Sequence, residues 1–410
     1  AAAAALAGVT SLDLTACHAT TSAVVAYLPT SLRYLTVKSL GLRASTRFAH
    51  LRALVSLDCS GTDALANAAG VSSLPPSLRE LRIVGCRMPV MARFNHLRAL
   101  RRLDCGNVNF SDTTIASLPP SLEELHTASE MGGAAPWPRG GSVAHLVNLR
   151  VFRAAHSGDF DVPLTTLPPS LHVLDVSRCR FKPDASFAHI RNLQALHVGG
   201  TPFGNAALAT LPPTLVTLDA HGCEKLTPAA VFPALPALRV LNVSGTGIND
   251  HVMTRLPRGL VELHIANCKG VTHAASFRHL AALRELHASG TQVSRSALAS
   301  LRAAGCLARA DGVYRYSGYE YDSDSPVSTL AVLGDGRLLS SRDGTWVTTW
   351  TLSDRGNQEV VHVDSKVRAL AVMPDGHRVA VGMATYTIRQ KAEGVVVWDA
   401  TADSSSEPPL

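Results

Sequence analysis

The sequence lacks the features of a membrane protein or of a zinc knuckle. No apolar run reaches the roughly 20 residues of a membrane-spanning helix. The run AAAAALAGV at the start has no initiator Met and no basic flank, so it does not read as a signal peptide. None of the eight cysteines stands in a CxxC pair. The way the chain begins also leads us to expect a fragment of a larger protein.

Catalytic motifs are missing as well. The sequence has no phosphate-binding GxxxxGK followed by Ser or Thr, no HExxH and no GxSxG, and no Gly-rich phosphate loop. We therefore expect a chain without catalytic residues, without a cofactor and without a metal site.

The composition predicts a packed protein with two regions. Hydrophobic residues make up 46% and charged residues only 17% of the chain, which excludes a disordered protein. Residues 1–310 hold 29 basic and 18 acidic residues, for a net charge of +11, whereas residues 311–410 hold 9 and 14, for −5. Within residues 30–105 alone, 12 residues are basic and 4 are acidic.

A short segment recurs along the first region. LPPSLRELRIVGC begins at Leu74, and its variants begin at Leu118, Leu167, Leu211 and Leu256. Aligned on the Leu or Phe that opens each short strand, thirteen copies follow one another at spacings of 22–24 residues, with one spacing of 27. Such a period predicts a solenoid, in which each repeat buries its apolar side against its neighbours. The aligned residues are Leu12, Leu35, Leu57, Leu81, Leu103, Leu125, Phe152, Leu174, Leu196, Leu218, Leu241, Leu263 and Leu286.

The pattern L-x-x-L-x-L-x-x-C/T resembles the leucine-rich repeat over residues 1–310. The resemblance implies an α/β solenoid with a parallel β-sheet on its concave face and short helical or 3₁₀ pieces, such as those in PVMARFNHL and DTTIASL, on the convex side. It also implies that the ninth repeat position forms a ladder that caps backbone groups after each strand. One repeat type places Cys there and the other places Thr. These residues are Cys86, Cys179, Cys223 and Cys268, and Thr62, Thr201, Thr246 and Thr291.

The cysteines fit this repeat better than they fit disulfides. Cys17 also falls on the ladder, and Cys59 and Cys105 replace a core Leu. Ladder positions of one type are two strands, or roughly 10 Å, apart, which is too far for the thiols to converge. We expect free thiols in a reducing, cytoplasmic compartment.

A column of polar residues faces outward between the core leucines. It admits two interpretations, a solvated ladder of mutually satisfied charges or a binding face that its four histidines make sensitive to pH. For single residues we favour the ladder, and for the whole face we favour binding. The column consists of Asp13, Thr36, Asp58, Arg82, Asp104, His126, Arg153, Asp175, His197, Asp219, Asn242, His264 and His287.

The candidate partner-binding residues come mostly from this column. A metal site at His264 and His287 is disfavoured because zinc needs at least three protein ligands. The basic excess predicts an acidic protein partner, and RNA is the less favoured alternative because aromatic residues are scarce on this face. Trp137, in the longest repeat, is predicted either to pack onto the solenoid flank or to be an exposed anchor. The candidates are Lys38, Arg82, Arg102, Asp104, His126, Trp137, Arg153, His197, His264 and His287.

The last hundred residues have a different pattern. Residues 311–326 are rich in Tyr and acidic residues and are predicted to be a linker or an outer strand. Residues 327–410 contain two similar stretches 40 residues apart, each with an Asp-Gly hairpin signal, which end at Trp350 and Trp398-Asp399. They resemble WD40 blades, although the first lacks the Trp-Asp pair and neither has a clear Gly-His pair. Two blades cannot close a ring, so we expect an incomplete all-β propeller that continues beyond Leu410.

Both regions resemble interaction modules. The sequence therefore predicts a non-enzymatic scaffold or adaptor that binds a protein on its concave face, with no membrane contact. The alternatives are a substrate-recognition subunit of a ubiquitin ligase and a regulatory part of a larger enzyme.

Overall fold

The chain divides into two compact units, Ala1–Tyr314 and Arg315–Leu410. A computed structural model describes residues 8–15, 17, 22–128, 137–138, 141–158, 160 and 166–309 of the first unit, and the backbone of seven strands of the second. The predicted linker at residues 311–326 lies outside the described residues.

The first unit contains a single parallel sheet of fourteen three-residue strands in sequence order. Strands of three residues are long enough for a continuous sheet because each one is hydrogen-bonded to the strand of the preceding repeat. The strands are β1 (Ser11–Asp13), β2 (Tyr34–Thr36), β3 (Ser56–Asp58), β4 (Glu80–Arg82), β5 (Arg102–Asp104), β6 (Glu124–His126), β7 (Val151–Arg153), β8 (Val173–Asp175), β9 (Ala195–His197), β10 (Thr217–Asp219), β11 (Val240–Asn242), β12 (Glu262–His264), β13 (Glu285–His287) and β14 (Leu307–Arg309).

The predicted repeat register is confirmed. All thirteen aligned residues are the central residues of their strands, and each is the register partner of the next. Twelve of them are at most 2% exposed, and Leu12, in β1, is only partly buried. Since neighbouring strands lie roughly 4.8 Å apart, these side chains form one continuous core.

A fourteenth strand extends the sheet beyond the predicted repeats. Ala308 at its centre is the register partner of Leu286 and is buried. The sequence pattern stops one repeat early because Ala stands where the other repeats have Leu or Phe.

Helices lie in alternate repeats. The segments beginning at Leu74, Leu118, Leu211 and Leu256 each follow a short helix, whose continuation the Pro after the Leu prevents. The DTTIASL segment is helical as expected, but PVMARFNHL, which begins with Pro89, forms turns, so that expectation is wrong. The helices are α1 (Ser22–Val25), α2 (Ala68–Ser72), α3 (Asp112–Ala116), α4 (Asn205–Leu208), α5 (Asp250–Met253) and α6 (Arg295–Ala303).

The Ser of LPPSL links each repeat to the one before. Ser77 Oγ donates to the carbonyl of Leu54 at 2.8 Å, and Ser121 Oγ donates to Leu100 at the same distance. In the repeat beginning at Leu256, Gly259 replaces this Ser, and the guanidinium of Arg239 donates to the equivalent carbonyl, that of Leu238, at 3.0 Å. These bonds satisfy carbonyls that the strands leave unpaired.

The predicted Cys and Thr ladder is present. The carbonyl of Val198 accepts hydrogen bonds from Thr201 Oγ1 at 2.5 Å and from Cys223 Sγ, one repeat later, at 3.1 Å. Val243 is bridged in the same way by Thr246 and Cys268. A Thr repeat and the Cys repeat that follows it are therefore joined through one backbone oxygen.

Each described turn after a strand contains one residue with positive φ, four positions after the strand centre. Most of these residues are Gly, which adopts this conformation without strain. Arg178, with a φ of 56°, and His156, with a φ of 60°, adopt it at a cost in conformational energy. The residues are Ser39, Gly61, Gly85, Asn107, His156, Arg178, Gly200, Gly222, Gly245, Asn267 and Gly290.

The second unit contains two antiparallel sheets. β15 (Val327–Val332), β16 (Leu338–Arg342), β17 (Trp346–Trp350) and β18 (Gln358–His362) form one, and β19 (Lys366–Val372), β20 (Arg378–Ala384) and β21 (Glu393–Asp399) form the other. The predicted Asp-Gly turns lie between β15 and β16 and between β19 and β20, outside the described residues. The assignment of these sheets to WD40 blades stays a prediction.

The burial of the central leucines predicts a large loss of stability on truncation. Leu218 is fully buried, whereas Val216, two residues earlier, is 37% exposed. Leu218→Ala should lower the free energy of unfolding by roughly 2–5 kcal/mol because it leaves a cavity. Val216→Ala is the control and should change it far less. Denaturant titrations compare the two, and equal shifts in midpoint would contradict the assigned register.

The ladder also predicts how the thiols react. All eight cysteines are free. Cys17 is exposed, which corrects its predicted place in the buried ladder; the ladder cysteines bond to a carbonyl of the preceding repeat, and β1 is the first strand among the described residues. Burial raises the pKa of Cys179 to about 12 and also raises the pKa of Cys223 and Cys268. In the native protein, iodoacetamide should therefore modify Cys17 quickly and the buried ladder thiols slowly. Mass spectrometry of timed digests measures both rates, and rapid labelling of Cys223 would refute the ladder.

Candidate functional site

The candidate site is the outward face of the parallel sheet, which we call the concave face. Two side chains of each strand reach it, those of the first and the third strand residue, because side chains alternate along a strand. The predicted polar column consists of the third residues. The residue just before each strand also borders this face.

Most carboxylates of the predicted column cap the turn that follows their own strand. Asp58 Oδ1 accepts from the backbone N–H of Ser60 at 3.0 Å, and Asp175 does the same with Ser177. Asn242 replaces the carboxylate in an equivalent bond to Ser244 at 3.1 Å. The carboxylates of the column are therefore held by their own turns as well as by charged neighbours such as Arg82 beside Asp104, and a ladder of mutually paired charges describes the column only in part. The recurring Asp-x-Ser pattern was the sequence signal for this turn.

The predicted basic cluster is neutralised by neighbouring carboxylates. Arg102 forms two hydrogen bonds of 2.8 Å with Glu124 and lies 3.5 Å from Glu80. This contact lowers the pKa of Glu124 and raises that of Arg102. Arg101 pairs with Glu123, and Arg82 lies 4.0 Å from Asp104.

Charges on this half of the concave face balance. Six basic residues on or beside β1–β6 meet six acidic ones, so the basic excess of residues 30–105 does not give the face a net positive charge. The electrostatic reason for expecting an acidic partner on this face is therefore lost. The residues are Arg33, Lys38, Arg79, Arg82, Arg101 and Arg102, and Asp13, Asp58, Glu80, Asp104, Glu123 and Glu124.

The histidines occupy two kinds of environment. His264 and His287 stack with ring centroids 4.2 Å apart, and their Nε2 atoms lie 2.6 and 2.7 Å from carboxylate oxygens of Glu262 and Glu285. Since a carboxylate can only accept, each Nε2 carries the proton. Burial lowers the pKa of His126, and the positive charge of Arg153 lowers it further. The recurring Glu-Leu-His triplets are the sequence signal for the paired glutamates, which sequence reasoning missed.

A stripe of uncharged side chains crosses the middle of the concave face. It comprises the first residues of β7–β11, which sequence reasoning did not consider because it followed only the third residues. All five are partly exposed, so this part of the sheet presents apolar surface to solvent. The residues are Val151, Val173, Ala195, Thr217 and Val240, and we call them the apolar stripe.

Trp137 is a core residue. It is 4% exposed, its ring packs against Phe152 and Phe160, and its Nε1 donates to the carbonyl of Gly141 at 2.8 Å. Of the two interpretations, packing onto the solenoid is therefore confirmed, and its candidacy as an exposed anchor is wrong.

The structure brings some of the predicted residues together and separates others. Arg82, Asp104, His126 and Arg153 follow one another on β4–β7, with Arg102 beside them, and His264 and His287 form a second group. His197 lies between the groups on β9, and Lys38 is exposed in the turn after β2.

Neither a metal-binding cluster nor a membrane-spanning helix is found among the described residues. Among these, no group of three or more His, Cys, Asp or Glu side chains is arranged to hold a metal ion. None of their helices, of which α6 is the longest, combines the length and the hydropathy needed to cross a membrane.

Comparisons with known proteins show the fold. No protein-family model and no curated protein matches the chain. The functional domain of InlJ from Listeria monocytogenes, which includes a cysteine ladder, matches 90% of this chain and 76% of that chain with a TM-score of 0.53 and 15% identity. A leucine-rich repeat protein of Leptospira interrogans matches 71% of this chain and 81% of its own, with a TM-score of 0.48 and 15% identity. The internalin InlF of L. monocytogenes matches 70% and 84%, with a TM-score of 0.41 and 15% identity.

The InlJ match and the fourteen-strand parallel sheet establish the leucine-rich repeat fold of the first unit.

Partly buried histidines predict that acid destabilises the fold. Burial is the largest cause of a lowered pKa in His96, His126, His156, His189 and His279. The unfolded chain, with a His pKa of 6.5, then binds more protons than the folded chain, so the free energy of unfolding falls as pH drops through and below that value. Urea titrations at about pH 7.5 and about pH 5.5 measure the change.

One variant pair tests this assignment. His126→Asn should reduce the loss of stability between the two pH values, because it removes one group that resists protonation in the fold. His251→Asn, at an exposed position on α5, is the control and should leave the loss unchanged. A loss of the same size in both variants would contradict a contribution from His126.

Proposed function

We propose that the chain is a non-enzymatic scaffold or adaptor that binds a protein partner on the concave face. The observation that carries this proposal is the apolar stripe, a run of uncharged first residues on five consecutive strands at the centre of the face, all of them partly exposed. Apolar surface at the centre with charged residues around it is the usual arrangement of a protein-binding site. The solenoid supplies an extended and rigid face for such a partner.

The residues around the stripe define the partner's chemistry. Arg82, Asp104 and His126 lie before its first strand, and His264 and His287 lie after its last. Both charge signs are present at the first end, so a partner with mixed charges fits this face better than a uniformly acidic one.

Arg153 and His197 lie on strands that contribute to the stripe, and both belong to the proposed site. Arg102 belongs to the proposed site as an ion pair with Glu124 and not as a free cation. Lys38 lies at the edge of the face, and Trp137 is excluded by its burial.

The second unit is proposed to be a second binding module made of WD40-like blades. The antiparallel pairing of β15–β18 and of β19–β21 supports a blade-like arrangement, as does the contact between the first strands of the two sheets, β15 and β19. A chain with two such modules would join two partners. The assignments to a ubiquitin ligase or to a larger enzyme stay predictions.

We also propose a reducing, cytoplasmic location. The eight cysteines support it, because a chain with eight cysteines and no disulfide between them is typical of a reducing compartment.

Site-directed photocrosslinking tests the proposed concave site. Benzoylphenylalanine at Thr217, within the stripe, should crosslink a partner from a lysate of the source cells, whereas the same group at exposed Ala229, in a loop away from the sheet, should not. The partner is then identified by mass spectrometry. Equal crosslinking from both positions would count against a specific concave site.

A variant pair tests the apolar stripe itself. Val173→Ser with Val240→Ser should weaken binding of the crosslinked partner by roughly tenfold, because apolar contact area is lost. Val231→Ser, the same change at a residue 55% exposed outside the sheet, is the control and should leave binding unchanged. Circular dichroism confirms that each variant is folded.

A further inference from the structure

Most of the basic excess of residues 30–105 lies away from the concave face. Of the twelve basic residues in this range, six are exposed in the loops around the sheet, where Asp63 is the only acidic residue of the same range. These loops therefore have a net positive charge that the balanced concave face lacks. The six residues are Arg43, Arg47, Arg52, Arg87, Arg93 and Arg98.

Two of these arginines line a groove at the edge of the sheet, where the turns after β2, β3 and β4 lie side by side. The groove has a volume of about 500 Å³, and its lining includes Arg43, Arg87, Asp63 and Leu42. Arg87 Nε lies 3.9 Å from Asp63, and the Arg87 side chain is 84% exposed. Most of the guanidinium is thus open to a ligand.

The turns that form the groove are held by backbone hydrogen bonds. Ser39 N–H donates to Ser60 at 2.8 Å, and Gly61 N–H donates to Val84 at the same distance. Gly85 N–H continues the series to Gly106. The groove is therefore formed before any ligand binds, which lowers the entropic cost of binding.

Apolar side chains are exposed close to the groove. Val90 is 72% and Met91 is 60% exposed, although they follow Arg87 by only three and four residues. Chain geometry keeps Val90 within about 11 Å of Arg87. Exposed apolar residues next to cations offer a mixed surface, and such patches mark interaction sites.

We propose that this edge groove binds an acidic segment of a partner protein in which carboxylates stand next to an apolar side chain. The guanidinium groups of Arg43 and Arg87 bind the carboxylates, because a planar fork of N–H donors matches two carboxylate oxygens. Val90 and Met91 contact the apolar side chain. The groove is a second surface, separate from the proposed concave site.

Single-stranded RNA is the competing ligand for a basic groove. Bases bind such grooves by stacking on aromatic side chains, and none of the residues lining this groove is aromatic. The exposed apolar pair adds nothing to the binding of a phosphate backbone. Both features favour a peptide.

Fluorescence anisotropy on the whole chain tests the groove with a labelled peptide, Gly-Glu-Glu-Leu-Asp-Glu-Gly. Arg43→Gln with Arg87→Gln should weaken binding by about tenfold at about 0.15 M salt. The matched control is Arg52→Gln with Arg98→Gln, which removes the same charge from loops that precede the strands, outside the groove, and should cost less than about twofold. Equal losses in both pairs would show a net-charge effect and overturn the proposal, as would no loss in either.

Two further binding measurements distinguish a peptide ligand from RNA. Val90→Ser with Met91→Ser should weaken the peptide about threefold, and a peptide with Ser in place of Leu should be insensitive to that change. An oligonucleotide that binds more tightly than the peptide, and is unaffected by the Val90 and Met91 changes, would overturn the proposal in favour of RNA. The Val173→Ser and Val240→Ser variant should bind the peptide normally, so the groove and the concave site can fail independently.

Discussion

Stacking of one apolar side chain per strand is the contact on which the rest of the first unit depends. The central residues of β1–β13 are register partners along the sheet, and a shift of one residue would turn every one of them toward solvent. This register places the Thr and Cys ladder beside the carbonyls that it caps, as at Val198. It also places the positive-φ residue of each turn where the chain leaves the sheet. Ladder, turns and core are therefore consequences of one repeated spacing.

The same register limits how the concave face can be used. Its third-residue column looks like a row of free charges, but several of its carboxylates are engaged by their own turns, as Asp58 is by Ser60. Arg102 is likewise engaged, by Glu124 and Glu80. The apolar stripe lies at the centre of this face, and its side chains are engaged neither by the core nor by the turns. A surface with balanced charge and apolar residues at its centre favours a partner matched in shape over one attracted by charge alone.

The loops around the sheet have a net positive charge, which the concave face lacks. The turns at the edge of the sheet carry Arg43 and Arg87 without an equal number of carboxylates, and the exposed residues Val90 and Met91 follow Arg87 by three and four positions. Two surfaces with different chemistry therefore belong to one rigid solenoid. Because backbone hydrogen bonds hold both surfaces, neither needs to be ordered by its partner.

The repeat, its register and the buried ladder were predictable from the sequence, because a near-constant spacing of 22–24 residues brings the central apolar residue of each repeat to the same position in its strand. The sequence did not reveal β14, because Ala308 breaks the pattern, nor the burial of Trp137, which depends on contacts with Phe152 and Phe160. The pairing of the concave charges was also decided only by the tertiary structure. Glu124 becomes the partner of Arg102 through the neighbouring strand, 22 residues along the chain, and a residue-by-residue list of charges does not show which side chains the fold places within hydrogen-bond distance.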